Sequence, residues 1–238
     1  MTRLTASEIR PTPGLGSLAF RFLVAVDIAG FSRRPAAEQA RAQDDLENAM
    51  THAAMGAGLD RERWYRQPRG DGDLAVLPHD VNGLSLLADY PRRLAAANAD
   101  VNLTNGGSRL RLRLAIHHGA VAPGRFGPVG TALVTISRLL DAEVVRQHLC
   151  RRSDLDVALI ISATVYDEII WSGLCNLTPE AFRRVTTRVK GISYVGYLYE
   201  DSSKVQDYII PALPRPITAE SPLARSPNLY PVGNHDHG

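Results

Sequence analysis

The first sustained apolar run of the chain lies at 20–28, where "FLVAV" leads without interruption into Asp27. A continuous apolar, β-branched run of this length predicts a buried strand. Ending such a strand on a carboxylate is costly unless something compensates the charge. From Pro35 the spacing turns helical: Ala42, Leu46, Met50 and Ala53 fall on one stripe, predicting a helix to about Met55 that Gly56 and Gly58 stop. "RERWYRQ" (61–67) and "LAVLP" (74–78) flank "PRGDGD", the pattern of strand, Gly-rich turn and strand. Leu87, Tyr90 and Leu94 predict a helix over 81–98, kinked or split at Pro91. "RLRLRLAIHHG" (109–119) alternates basic and apolar residues with period two, which predicts a strand with one wet face. Beyond a Gly-rich link, Leu133, Ile136, Leu140, Val144 and Leu149 make the buried stripe of a helix over 131–149. A short buried strand (157–162), a short helix (163–172) and a last hairpin, "RRVTTRVKG" with "SYVGYLYE", complete the order.

Hairpins need antiparallel neighbours, so this mixture predicts an α+β fold: a mainly antiparallel sheet with helices packed on it. Residues 1–19, rich in Pro, Gly and Thr, read as a lead-in. The Pro-rich stretch 201–238 reads as an extended tail, leaving 20–200 as the folded domain.

Composition narrows the partners. At 238 residues the chain fits one large domain or two small ones, and 45% apolar content supports a sizeable core. A formal charge of +2 is too small to imply a nucleic-acid partner. No apolar run approaches the roughly 18 residues of a membrane span, and the N-terminus lacks an apolar signal core. Cys150 and Cys175 show no metal-ligand spacing. These features predict a soluble, cytoplasmic protein without a membrane or nucleic-acid partner.

The chemistry centres on two carboxylates. Asp27 ends the first strand, and Asp71 sits between Gly70 and Gly72 in the first hairpin turn. If that hairpin neighbours the first strand, the two converge into an oxygen-ligand site for Mg²⁺ or Mn²⁺, with room left for phosphate oxygens. Taken alone, Gly-Asp-Gly also suits a plain turn. His117 and His118, adjacent on a strand, face opposite ways and read as packing residues. His235 and His237 fall in the tail. The arginines of "RLRLRL" read as a solvated or dimer-facing surface. "PGRFGPVG" lacks the spacing of a dinucleotide or phosphate loop.

"VDIAGFS", "RGDGDLAVL", "LRLAIHHGAV", "GTALVTISRLLDA" and "RVKG" occur in that order over about residues 20–200, and together they resemble the catalytic domain of the class III nucleotide cyclases. The resemblance implies a ferredoxin-like fold, a head-to-tail homodimer with active sites between subunits, and two Mn²⁺ or Mg²⁺ ions per site. Asp27 and Asp71 match the metal-binding aspartates. Ile28 follows beside the metals, and the backbone of Gly30 and Phe31 borders the phosphates. Arg138 matches the arginine that stabilises the α-phosphate from the partner subunit, and Lys190 the lysine on the triphosphate. Val134 stands where the family carries a ribose-orienting Asn. Gln67 and Gly127 fall at the base-selecting positions and match neither the adenine nor the guanine pattern. Tyr65, Arg66 and Gln67 offer instead a bulky polar wall suited to a smaller base. This combination resembles the stand-alone pyrimidine cyclases of bacterial anti-phage (Pycsar) systems. It implies conversion of UTP, or another NTP, to a cyclic nucleotide read by a separate effector. A purine cyclase and a catalytically silent nucleotide-sensing or dimerisation module are the alternatives.

Overall fold

The computed structural model describes residues 17–104 and 107–200, all within one compact unit, Met1–Gln206. Residues 1–16 of the lead-in read over 1–19, the tail over 201–238 and the two tail histidines lie outside the described residues, and Ala19, the last lead-in position, already belongs to the first strand. The first apolar run forms β1 (Ala19–Ile28), and the hairpin forms β2 (Tyr65–Arg69) and β3 (Gly72–Val76). β4 (Leu112–Val121), β5 (Val157–Ser162), β6 (Phe182–Val189) and β7 (Ile192–Tyr199) follow. They make one 7-stranded sheet in the order β2-β3-β1-β4-β5-β7-β6. Every neighbouring pair is antiparallel except β4 with β5. The predicted α+β class and mainly antiparallel sheet are what the chain adopts.

Helices cover both faces of the sheet. α1 (Ala36–Gly56) and α2 (Tyr90–Thr104) pack over Val24, Val26 and Ile28 of β1, while α3 (Thr131–Leu140) and α4 (Glu143–Arg151) cover Leu23 and Ala25. A strand buried from both sides has no polar face to show, hence its unbroken apolar run. α1 buries the predicted Ala42, Leu46, Met50 and Ala53. Pro91 falls in the first turn of α2 and is preceded by a wide π-type turn, Ser85–Asp89. Pro91 has no N–H to give, and the wider turn accommodates that loss.

Two expectations change. The single helix over 131–149 is two, because Ala142 adopts an extended backbone (ψ 131°) between α3 and α4. The break advances the buried stripe, so Val145 rather than Val144 is fully buried in α4. The strand at 109–119 begins at Leu112 and has no wet face: Arg113 is only 9% exposed. The arginines of the repeat are consumed inside the chain. Arg109 pairs with Asp156 at 2.6 Å. Arg111 donates to the carbonyls of Leu149, Arg152 and Leu155, closing the C-terminal end of α4. Arg113 pairs with Asp27. Such bonds offset the cost of burying the Arg113 guanidinium, while Arg109 stays exposed and Arg111 half-buried.

The β2–β3 turn is closed by a backbone contact that only glycine permits. A Cβ on Gly72 would stand 2.0 Å from the Val26 carbonyl oxygen and 2.8 Å from the Asp27 Cα. Gly72→Ala therefore forces β3 away from β1. We expect it to lose about 3 kcal/mol, read as a lowered midpoint in urea denaturation.

Candidate functional site

β1 ends against the hairpin turn: the Ile28 N–H donates to the Asp71 carbonyl at 2.8 Å. That bond places both sequence-predicted carboxylates at one end of the sheet. Asp27 is in register with Arg113 across β1 and β4, on the face covered by α3 and α4. Arg113 Nε and Nη2 donate to Asp27 Oδ1 and Oδ2 at 2.7 and 2.5 Å, and its Nη1 donates to the Leu140 carbonyl at 3.4 Å. Burial raises the Asp27 carboxyl from 3.8 to about 6 despite this partner, and the charges of Asp71 and Asp141 push the same way. One guanidinium does not offset desolvation plus two like charges.

Beside this pair lies a cleft of about 580 Å³ lined by Gly30, Phe31, Arg33, Asp71, Arg113 and Arg146, among others. Gly30 takes φ 71° and starts a single 3₁₀ turn, Phe31–Arg33. That conformation turns the chain sharply after β1, and Gly30 and Phe31 line the cleft. Arg113 was missed as a site residue. Its signal was present in the period-two arginines, but only the β1–β4 register pairs it with Asp27.

Among the described residues no group of three or more His, Cys, Asp or Glu side chains could by itself hold a metal ion. The residues present nonetheless fit divalent cations. Asp27 and Asp71 are hard oxygen donors at one strand end, close enough that the charge of Asp71 is felt at the Asp27 carboxyl.

The remaining predicted residues lie elsewhere. Tyr65 and Gln67 share the α3 face of β2, and both reach the Gly127 loop. A Cβ on Gly127 would stand 2.3 Å from Tyr65 Oη and 3.1 Å from Gln67 Nε2. Gln67 and Gly127, the positions that the sequence resemblance assigns to base selection, are thus neighbours. Arg66 is not with them. Strand alternation sends it to the opposite face, where it donates to Asp73 at 2.7 Å and Glu47 at 2.6 Å. The wall read from the sequence as Tyr65, Arg66 and Gln67 therefore loses its middle member.

α3 buries Ala132, Ile136, Leu139 and Leu140, which turns Val134 (46% exposed) and Arg138 away from the sheet. Lys190 is exposed in the β6–β7 turn at φ 50°, with Gly191 at φ 81°, the geometry of a tight two-residue hairpin. Following the strand pairings, that turn lies at the opposite end of the sheet from Asp27. The separation is on the order of 30 Å at the usual rise and strand spacing.

His117 and His118 pack as expected. His117 Nδ1 is 2.8 Å from Ser162 Oγ and burial lowers its pKa to about 4, while the His118 ring lies 4.7 Å from that of Phe22.

No protein-family model matches the sequence, and no curated protein matches it. Solved structures do. The guanylyl cyclase Cya2 superposes with a TM-score of 0.56 at 16% identity, covering 78% of this chain and 93% of that one. An adenylate/guanylate cyclase/hydrolase from Silicibacter pomeroyi gives 0.55 at 19% identity, covering 79% and 99%. The adenylyl cyclase CyaB from P. aeruginosa gives 0.51 at 16%, covering 78% and 97%. At these identities the likeness establishes the fold, which is that of the class III cyclase domains.

The Asp27 environment has a measurable consequence. Its folded pKa lies above its unfolded value, so the unfolded chain ionises first and ionisation opposes folding. The stability present below pH 4 is lost as the pH rises to about 6, by roughly 3 kcal/mol if the full shift applies. Burial of His117 works the opposite way over the same window, so the effect is read as a difference: in urea titrations from pH 4 to 7 the stability of the wild type should fall relative to that of Asp27→Asn.

Proposed function

We propose that the chain is a nucleotide cyclase that converts a nucleoside triphosphate to its 3′,5′-cyclic monophosphate and pyrophosphate. The observation carrying this reading is the convergence of Asp27 and Asp71 at one strand end, beside an arginine-lined cleft, within a cyclase fold. Asp27, Asp71 and the Ile28 backbone would hold two Mg²⁺ or Mn²⁺ ions. When bound, these supply activation of the ribose 3′-hydroxyl and neutralisation of the leaving pyrophosphate. The 3′-oxygen bonds to the α-phosphorus, the bond to pyrophosphate breaks, and the hydroxyl proton leaves to solvent. The Gly30–Phe31 backbone and Arg113 border the phosphates. Arg138 stabilises charge developing on the α-phosphate, and Lys190 holds the triphosphate.

Lys190 stands too far from Asp27 to serve the same phosphates within one chain. The reading therefore requires a second copy, packed head to tail, whose Arg138 and Lys190 complete the site. The outward-facing Arg138 suits this arrangement.

The base is a pyrimidine, with UTP favoured. Support comes from the absence of a purine pattern at Gln67 and Gly127, and from the Tyr65 hydroxyl and Gln67 amide packed around Gly127. The Gln67 amide is left as the group that donates to a uracil carbonyl, since Arg66 is engaged on the other face. The cyclic product would act as a second messenger read by a separate effector. Its anti-phage setting rests on the resemblance of the sequence alone. A second reading, nucleotide binding without turnover, is favoured by one observation: Val134 has no hydrogen-bonding group beside Arg138 to orient a ribose.

Purified protein incubated with each of the four NTPs and Mn²⁺ should yield mainly cyclic UMP. Cyclic AMP as the main product would overturn the base assignment, and metal-dependent binding without product would select the silent module. Asp27→Ala and Arg138→Ala should each abolish turnover. Mixed in equal amounts and re-equilibrated, they should recover about a quarter of wild-type activity, because half the dimers then carry one intact site. No recovery would refute the shared site.

A further inference from the structure

The face of β2 turned away from Tyr65 and Gln67 carries a partly buried ionic network that the proposed chemistry does not use. Arg66 Nε donates to Asp73 Oδ2 at 2.7 Å, and its two terminal nitrogens reach Glu47 of α1 at 3.1 and 2.6 Å. Arg61, from the 3₁₀ turn Arg61–Arg63 ahead of β2, doubles the bridge. It donates to both Glu47 oxygens at 2.5 and 3.0 Å and lies 3.4 Å from Asp73. Arg61 also donates to Thr51 Oγ1 at 3.1 Å. Arg61 and Asp73 are almost fully buried. The Arg61 Nε, Asp73 Oδ1 and Tyr90 hydroxyl beside them have no hydrogen-bond partner among the described residues.

A buried Arg61–Asp73 pair with orphaned polar atoms, extended by the partly exposed Arg66 and Glu47, adds little net stability compared with an apolar core of the same shape. What such a network supplies is geometry. β2 needs it: it is an edge strand of 5 residues, hydrogen-bonded along one side only and interrupted by Pro68. Tyr65 and Gln67 are the immediate neighbours of Arg66 and take their direction from the same backbone.

We propose that Arg66, held by Glu47, Asp73 and Arg61, is a positioning residue for base selection, fixing Tyr65 and Gln67 against the Gly127 loop. The proposal rests on the cyclase reading. The network touches no substrate. It acts by holding the reader strand to α1, so its loss blurs the discrimination between bases without removing the reacting groups.

The test is a kinetic panel of wild type, Arg66→Met, Arg66→Lys and Glu47→Gln against the four NTPs with Mn²⁺. Melting temperature and hydrogen exchange of the Tyr65–Arg69 amides are measured alongside. In Arg66→Met and Glu47→Gln, the kcat/KM ratio of the preferred to the next base should fall at least about fivefold, mainly through KM of the preferred nucleotide. Exchange over Tyr65–Arg69 should quicken. Arg66→Lys keeps the charge but grips one carboxylate, and its ratio should fall between wild type and Arg66→Met. Glu47, half-exposed, is the variant that folds should Arg66→Met fail to. An unchanged ratio, an equal loss on all four nucleotides, or a wild type indifferent to the base overturns the positioning role. A wild type that cyclises none of them overturns the cyclase reading itself.

Discussion

The pairing of Asp27 with Arg113 is the contact on which the rest of the site depends. It joins the two central strands, and through the Leu140 carbonyl it also ties down the end of α3. A bidentate guanidinium–carboxylate pair has one good geometry, so it pins the β1–β4 register as well as neutralising charge. A slip of one residue would send Asp27 into the opposite core, against α1 and α2. The pair does not hold the carboxyl at its ordinary value: burial is the main reason that it is raised, and the charges of Asp71 and Asp141 add to it.

Much of the architecture could be read from local pattern. The run into Asp27, the α1 stripe and the Gly-rich hairpin turn each follow from periodicity and turn chemistry within a few residues. What could not be read depends on partners distant in sequence. The alternation of "RLRLRL" is the pattern of a half-wet strand. Its arginines are instead tied down within the chain, Arg109 by Asp156, Arg111 by carbonyls at and beyond the end of α4, and Arg113, the buried one, by Asp27, all far along the chain. The break at Ala142 escaped notice for another reason. A two-residue interruption shifts a helical stripe by one position and leaves the apolar count unchanged.

The candidate site shows the same division. Asp27 and Asp71 were legible as a pair because a strand end and a neighbouring turn are adjacent by construction. Arg66 was not, because three consecutive residues on an edge strand look equivalent until its two faces are distinguished. One face meets Gly127, and the other meets the carboxylates of Glu47 and Asp73. Lys190 and Asp27 lie at opposite ends of one sheet, so no local pattern could have joined them.

The order of strands also bears on how the chain reaches this state. Asp27 and Arg113 are separated by 86 positions. During synthesis β1 emerges long before the strand that neutralises it. β3, which lies on the other side of β1, arrives sooner, so the β1–β3 pair can form while the second edge of β1 still waits. Closing the longer loop adds only modest entropy, but contacts so remote in sequence slow folding and leave a bare apolar edge meanwhile. A central strand of the mature sheet is thus an aggregation-prone segment of the nascent chain.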